Sequence, residues 1–115
     1  MGIAQRRGAA GEALAAAYFE LLGCEVLGRN QKLAGVEVDL VVADGATRVL
    51  VEVKLRGRAD FGGAARAVDH VKCQRLKRAA RSLEGSGTAL RIDVVALEPV
   101  DGGLTLRHYR NAITD

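Results

Sequence analysis

The apolar positions of this chain change rhythm along its length. From about Arg7 to Leu22, Leu14, Ala17, Tyr18 and Leu21 recur at helical spacing. Glu12 and Glu20 fall elsewhere around the wheel, which predicts a helix ended by Gly23. Cys24 to Leu27 reads as a short strand closed by the turn-prone Gly28-Arg29-Asn30. Val36 to Ala43 is rich in β-branched residues, Asp44-Gly45-Ala46 signals a turn, and Thr47 to Lys54 alternates again, which predicts a β-hairpin. Gly57, Gly62 and Gly63 interrupt the pattern and predict a loop. From about Ala64 to Leu83 the residues Ala65, Val68, Leu76, Ala79, Ala80 and Leu83 mark a second helix, ended at Gly85-Ser86-Gly87. Ala89 to Leu97 follows as a strand, and Leu104 to Tyr109 can add one more beyond Asp101-Gly102-Gly103. The order α-β-β-β-α-β(-β) predicts an α/β fold with a central mixed sheet of four or five strands flanked by helices.

Composition bounds what such a sheet can do. The 115 residues fit a single domain over 1–115. Hydrophobic residues make up 49% and charged residues 27%, an ordinary globular balance. With no Trp, two Tyr and two Phe, the core is aliphatic and few rings remain to stack on unpaired bases. Cys24 and Cys73 stand far apart without a Cys-x-x-Cys partner, so they read as buried free thiols rather than zinc ligands or a disulfide. The N-terminus lacks an apolar signal core and no stretch reaches spanning length, so the expected location is the cytoplasm. The net charge of +3 is mild; its distribution is more informative.

Inside the Val-rich runs stand residues that a buried strand does not need: Glu37, Asp39, Glu52 and Lys54. Strict alternation puts Glu37 with Asp39, and Glu52 with Lys54, on shared faces. With Gly45-Ala46 as the two-residue loop, Asp39 lies across from Glu52. Two carboxylates about 5 Å apart repel each other unless a cation sits between them, and a hard ion such as Mg²⁺ suits oxygen ligands. Lys54 then orients or deprotonates the attacking water, or stabilises charge building on a phosphate. The competing reading is a solvated sheet face in which Lys54 pairs with Glu52 or Asp39.

The neighbouring residues weigh on that choice. Gly8-x-x-Gly11-Glu12-x-x-Ala15, Arg29-Asn30, Val36-Glu37-Val38-Asp39-Leu40-Val41, Val51-Glu52-Val53-Lys54-x-Arg56, Phe61-Gly62, Ala67-Val68-x-x-x-Lys72-x-x-x-Leu76 and Ile92-Asp93-Val94-Val95-Ala96 occur in that order. From about Gly8 to Leu97 they resemble the YraN family of small, uncharacterised bacterial proteins. That family is similar in turn to archaeal Holliday-junction resolvases of the PD-(D/E)xK, restriction-endonuclease-like superfamily. The resemblance implies a restriction-endonuclease-like core and an Mg²⁺- or Mn²⁺-dependent endonuclease site. In it Asp39 and Glu52 are metal ligands, Lys54 is the catalytic lysine, and Glu12 is an acidic residue of the first helix able to reach the metal. It also implies a homodimer, since symmetric cuts on a four-way junction need two sites. Members commonly carry a glycine where Val36 stands here, a departure that leaves Glu37 and Asp39 in register.

The remaining candidates each carry two readings. Glu12 is either a metal ligand or a favourable charge near a helix start. Glu37 is either an outer ligand or a partner of Arg56. Asp93 reads as the structural partner of a basic neighbour, and His70 and His108 as structural histidines without ligand-spaced partners. In the second helix Arg66, Lys72, Arg75, Lys77, Arg78 and Arg81 face a single acid, Asp69. With Arg56 and Arg58 they form a candidate phosphate track, in which Lys72, Arg75 and Arg78 are the helical contacts and Lys72 reaches the site. The expected activity is thus a metal-dependent endonuclease acting on DNA, branched or structured. The alternatives are a non-catalytic nucleic-acid-binding or adaptor module and, more remotely, a hydrolase of small phosphodiesters.

Overall fold

The computed structural model describes residues 2–55, 70–85 and 87–114, with Ile3, Ala4, Gln5 and Arg7 described by their backbone alone. Helix α1 (Ile3–Leu21) leads into strands β1 (Glu25–Leu33), β2 (Val36–Asp44) and β3 (Thr47–Leu55). Helix α2 (His70–Arg81), β4 (Ala89–Val100) and β5 (Gly103–Tyr109) complete the described elements. The strands form one five-stranded sheet in sequence order. β3 and β4 run parallel across α2, and every other neighbouring pair is antiparallel. This is the mixed sheet flanked by helices that the sequence predicts, with the last strand present.

Alternation sends the two sides of β3 into two cores. Leu50 packs with Ile92, Val94, Leu76 and Ala79 under α2. Val49 and Val51 pack with Ala15, Ala16 and Phe19 of α1. The helices therefore cover opposite faces of the sheet. The phase of α1 differs from the expected stripe: Gly11, Ala15, Ala16 and Phe19 are buried, whereas Leu14 and Ala17 are exposed and Leu21 is 88% exposed. Small residues explain the choice, because α1 approaches the sheet so closely that a Cβ at Gly11 would meet Leu97 Cδ1 at 3.3 Å. The helix also begins earlier than expected, which puts Glu12 in its middle rather than near its start. The helix-dipole account of Glu12 therefore fails.

β1 does not stop at Gly28. It runs to Leu33, with a register shift between Val26 and Gly28, because pairing with β2 overrides the local turn preference. Asn30 satisfies its turn character within the strand, at a left-handed φ of 50°. The β2–β3 hairpin has the expected two-residue loop, Asp44 pairing with Thr47. Its ladder ends at Leu40↔Val51. Beyond that pair β2 continues with β1 as far as Leu33↔Val36, while β3 continues with β4 as far as Leu55↔Leu97. The sheet thus forks, and the β1–β2 arm forms one side of the fork.

Candidate active site

The fork opens at Asp39. Val38 packs in the α2 core and Leu40 in the α1 core, although strict alternation would put residues two apart on one face. The strand turns over between them, so the shared face expected for Glu37 and Asp39 is interrupted. Across the ladder, between Arg29↔Leu40 and Gln31↔Val38, sits the left-handed Asn30. Where the β2–β3 pairing stops, the Asp39 carboxylate replaces a backbone acceptor: Val53 N–H donates to Asp39 Oδ2 at 2.8 Å. The expected hairpin register is present, and the ladder ends one step short of an Asp39–Glu52 pair.

Glu52 belongs to the α2 side of β3, the parity of Leu50. It is 4% exposed. Lys54 Nζ lies 3.5 Å from Glu52 Oε1, and Lys72 Nζ of α2 lies 3.6 Å from Oε2. Among the described residues Glu52 Oε2 is nevertheless buried without a hydrogen bond. Burial and then the neighbouring Asp39 charge push the Glu52 carboxyl above its ordinary range, against the pull of the two lysines. Burial raises Asp39 as well, opposed by the Val53 amide and by Lys72. Glu12 is raised by partial burial and by Asp39, with the Asn30 side chain bonded to it in opposition. Burial and repulsion among carboxylates thus act at one place.

The structure brings Asp39, Glu52, Lys54 and Lys72 together and sets Glu12 within the electrostatic reach of Asp39. Among the described residues no three Asp, Glu, His or Cys side chains gather into a ready metal cage. A donor set of two carboxylates, one with an unsatisfied buried oxygen, suits an ion such as Mg²⁺ that keeps waters and takes ligands from a substrate phosphate. Arg75 and Arg78 are exposed on α2. Arg56, Arg58, Arg66, Asp69, Phe61 and the 57–63 glycines lie outside the described residues, and so does the expected Glu37–Arg56 pair. Asn30 is the contributor that sequence reasoning missed; its signal was the same Arg29-Asn30 phrase that read as a turn.

A second polar cluster occupies the α1 face. Asp93, fully buried, accepts from Arg91 Nε at 2.8 Å, Arg91 Nη2 at 3.1 Å, His108 Nε2 at 2.7 Å and the Asn111 amide at 2.9 Å. Tyr18 O–H reaches His108 Nδ1 at 2.9 Å, and Arg91 also binds Asp44 at 3.1 Å. Burial pushes Asp93 upward, but the Arg91, Asn111 and His108 donors outweigh it and hold the carboxyl below its ordinary range. The structural role expected for Asp93 is met, and His108 turns out to have partners on both ring nitrogens. Cys24 and Cys73 are not joined in a disulfide, and they are half-buried rather than fully buried. No helix among the described residues is long and apolar enough to cross a membrane.

Comparison with known proteins agrees with the resemblance carried by these residues. A UPF0102 protein of Methylococcus capsulatus is 41% identical over 105 residues, covering 89% of this chain and 85% of its own. One from Beutenbergia cavernae is 43% identical over 108 residues, covering 90% and 92%. One from Mycolicibacterium vanbaalenii is 44% identical over 94 residues, covering 78% of each. The family profile matches residues 11–97, a span that holds Glu12, Asp39, Glu52, Lys54 and Lys72, and the chain belongs to the Uncharacterised protein family UPF0102.

Proposed function

We propose that this protein is a metal-dependent endonuclease that hydrolyses phosphodiester bonds in DNA. The observation that carries the reading is Glu52 Oε2, a buried carboxylate oxygen without a hydrogen bond among the described residues, beside Asp39 at the sheet fork. Burying a charged oxygen unsatisfied costs stability, and a cation recovers that cost. Asp39 and Glu52 would hold Mg²⁺ or Mn²⁺, which when bound supplies positive charge to the scissile phosphate and acidifies water. The Val53 amide fixes the orientation of Asp39. Lys54 emerges two residues beyond Glu52, with its ammonium 3.5 Å from the carboxylate, in position to stabilise charge on the phosphate or to move the proton of the attacking water. Glu12 is a candidate outer ligand through its nearness to Asp39, and Lys72 can exchange Glu52 for phosphate.

A second reading, a non-catalytic nucleic-acid-binding module on the same fold, draws on the same two lysines, since they offset the Glu52 charge without a metal. Cleavage of labelled linear, flapped and four-way-junction DNA with Mn²⁺ separates the two. The expected outcome is cutting by the wild type, lost in Asp39→Ala and Glu52→Ala and reduced on the order of 10²- to 10³-fold in Lys54→Ala. On a four-way junction, paired cuts by a homodimer are expected. Binding without cutting, unchanged in all three variants, would leave the adaptor.

A further inference from the structure

Between the β1–β2 arm and α2 runs a groove lined by Lys32, Gly35, Val36 and Glu37 on one side and by Lys72, Arg75 and Arg78 on the other. The three α2 residues are spaced three apart and so share a helix face. From Lys72 to Arg78 they span about 9 Å along the axis at 1.5 Å per residue. Four cations meet one carboxylate in this groove. Lys32, Arg75 and Arg78 are exposed, and no ion pair among the described residues engages them. Surface lysines and arginines that are neutralised by neighbours lose their pull on an anion; these keep it. The groove also has a fixed wall, because Val36 and Val38 of the arm are packed with Leu76 and Ala79 of α2.

The groove leads to the chemistry. Lys72 lines it and also lies 3.6 Å from Glu52 Oε2. Among the described residues no aromatic side chain lines it, so they offer no platform on which to stack an unpaired base. Cations contact the phosphate backbone, and without a stacking ring beside them they hold no base out of its pair. We propose that this groove seats two or three consecutive phosphates of one strand of duplex DNA, next to the phosphate at Asp39 and Glu52. Arg75 and Arg78 hold them from α2 and Lys32 from the arm. This rests on the nuclease reading for which phosphate is cut, and extends it to the form of nucleic acid held beside the cut.

Binding is measured on the Asp39→Asn protein, so that cleavage does not intervene, with a duplex and a single strand of equal length over a range of salt concentrations. Duplex is expected to bind more tightly than single strand. Adding Arg75→Gln and Arg78→Gln should weaken duplex binding roughly tenfold or more at low salt. It should also lower the slope of log affinity against log salt by about 1.8, at 0.9 for each phosphate contact. Lys32→Gln, on a different element, should lower the slope by about 0.9, while Arg107→Gln on β5 should change neither quantity. Unchanged slopes in the Arg75, Arg78 and Lys32 variants, or tighter binding of single strand, overturn the groove. If the wild type cuts DNA while those variants bind normally, the groove fails and the nuclease reading stands. If the variants lose binding while the wild type never cuts, the groove stands and the nuclease reading fails.

Discussion

Glu52 and Asp93 are both acids buried on neighbouring strands of one sheet, and they are treated in opposite ways. Asp93 receives four hydrogen bonds and is held as a carboxylate. Glu52 has lysines at 3.5 and 3.6 Å, an oxygen without a hydrogen bond among the described residues, and a carboxyl pushed toward the neutral form by burial and Asp39. A buried charge that the fold satisfies belongs to the scaffold. One that the fold leaves wanting is held for something that arrives later. On that contrast Asp93 ties β4, β5 and the 110–113 segment together, and Glu52 is the acid that the proposed metal site would use.

Removing each acid separates the two roles most directly. Asp93→Ala leaves the Arg91 guanidinium and His108 without their main acceptor and should cost about 3–5 kcal/mol by chemical denaturation. Glu52→Gln removes a repelled, desolvated charge. The metal-free protein should then be no less stable than the wild type at neutral pH, and equal losses in the two variants would erase the distinction.

Metal and pH also act differently on the two acids. At a Mg²⁺ or Mn²⁺ concentration a hundred times Kd, the wild type should gain about 2.7 kcal/mol, and Glu52→Gln should gain little. In the metal-free protein the raised Glu52 and Asp39 carboxyls bind protons more tightly folded than unfolded. Their contribution is therefore present at low pH and lost as pH rises from their ordinary values of 4.5 and 3.8 through the higher folded ones. Asp93 has the opposite sign: its contribution is full above its ordinary value of 3.8 and lost as pH falls through the lower folded one. Stability against pH should lose part of its falling limb in Glu52→Gln, the Asp39 part remaining, and part of its acid-side rise in Asp93→Ala. Metal should stabilise the wild type more at pH 8 than at pH 4. The smallest effect is expected from Tyr18→Phe, which removes one donor to His108 and should cost about 1 kcal/mol in a thermal or denaturant melt.

Much of this contrast is written in the sequence, unevenly. Carboxylates inside Val-rich strands announce themselves, and the Gly45-Ala46 turn sets their register. Asp39, Glu52 and Lys54 are therefore legible as a group, and Lys72 only as a helical phosphate contact able to reach them. The phase of α1 was not, because alanines at 9, 10, 13, 15, 16 and 17 carry almost no directional signal, and the leucines that seemed to supply one are exposed. β1 was cut short at Gly28 because a local turn preference says nothing of the partner strand that outweighs it. His108 looked solitary because its acceptor lies 15 residues away and its Tyr18 partner 90, separations that only the folded sheet closes. The turn-over at Asp39 is hidden for a different reason: it is a departure from alternation, and alternation is what assigns strand residues to faces.

That turn-over has a consequence for how this protein can vary. Asn30 and Asp39 face each other where both strands depart from regular geometry, so they act as a registration mark for the arm. Side chains on the arm can be exchanged, but a residue gained or lost between them would slide the mark and swing Asp39 away from Val53 and out of the fork. The seven residues from Gln31 to Glu37 that join Asn30 to the Val38-Asp39 step are therefore constrained in number more strictly than in kind. Drift along this lineage should be written there in substitutions and hardly at all in length.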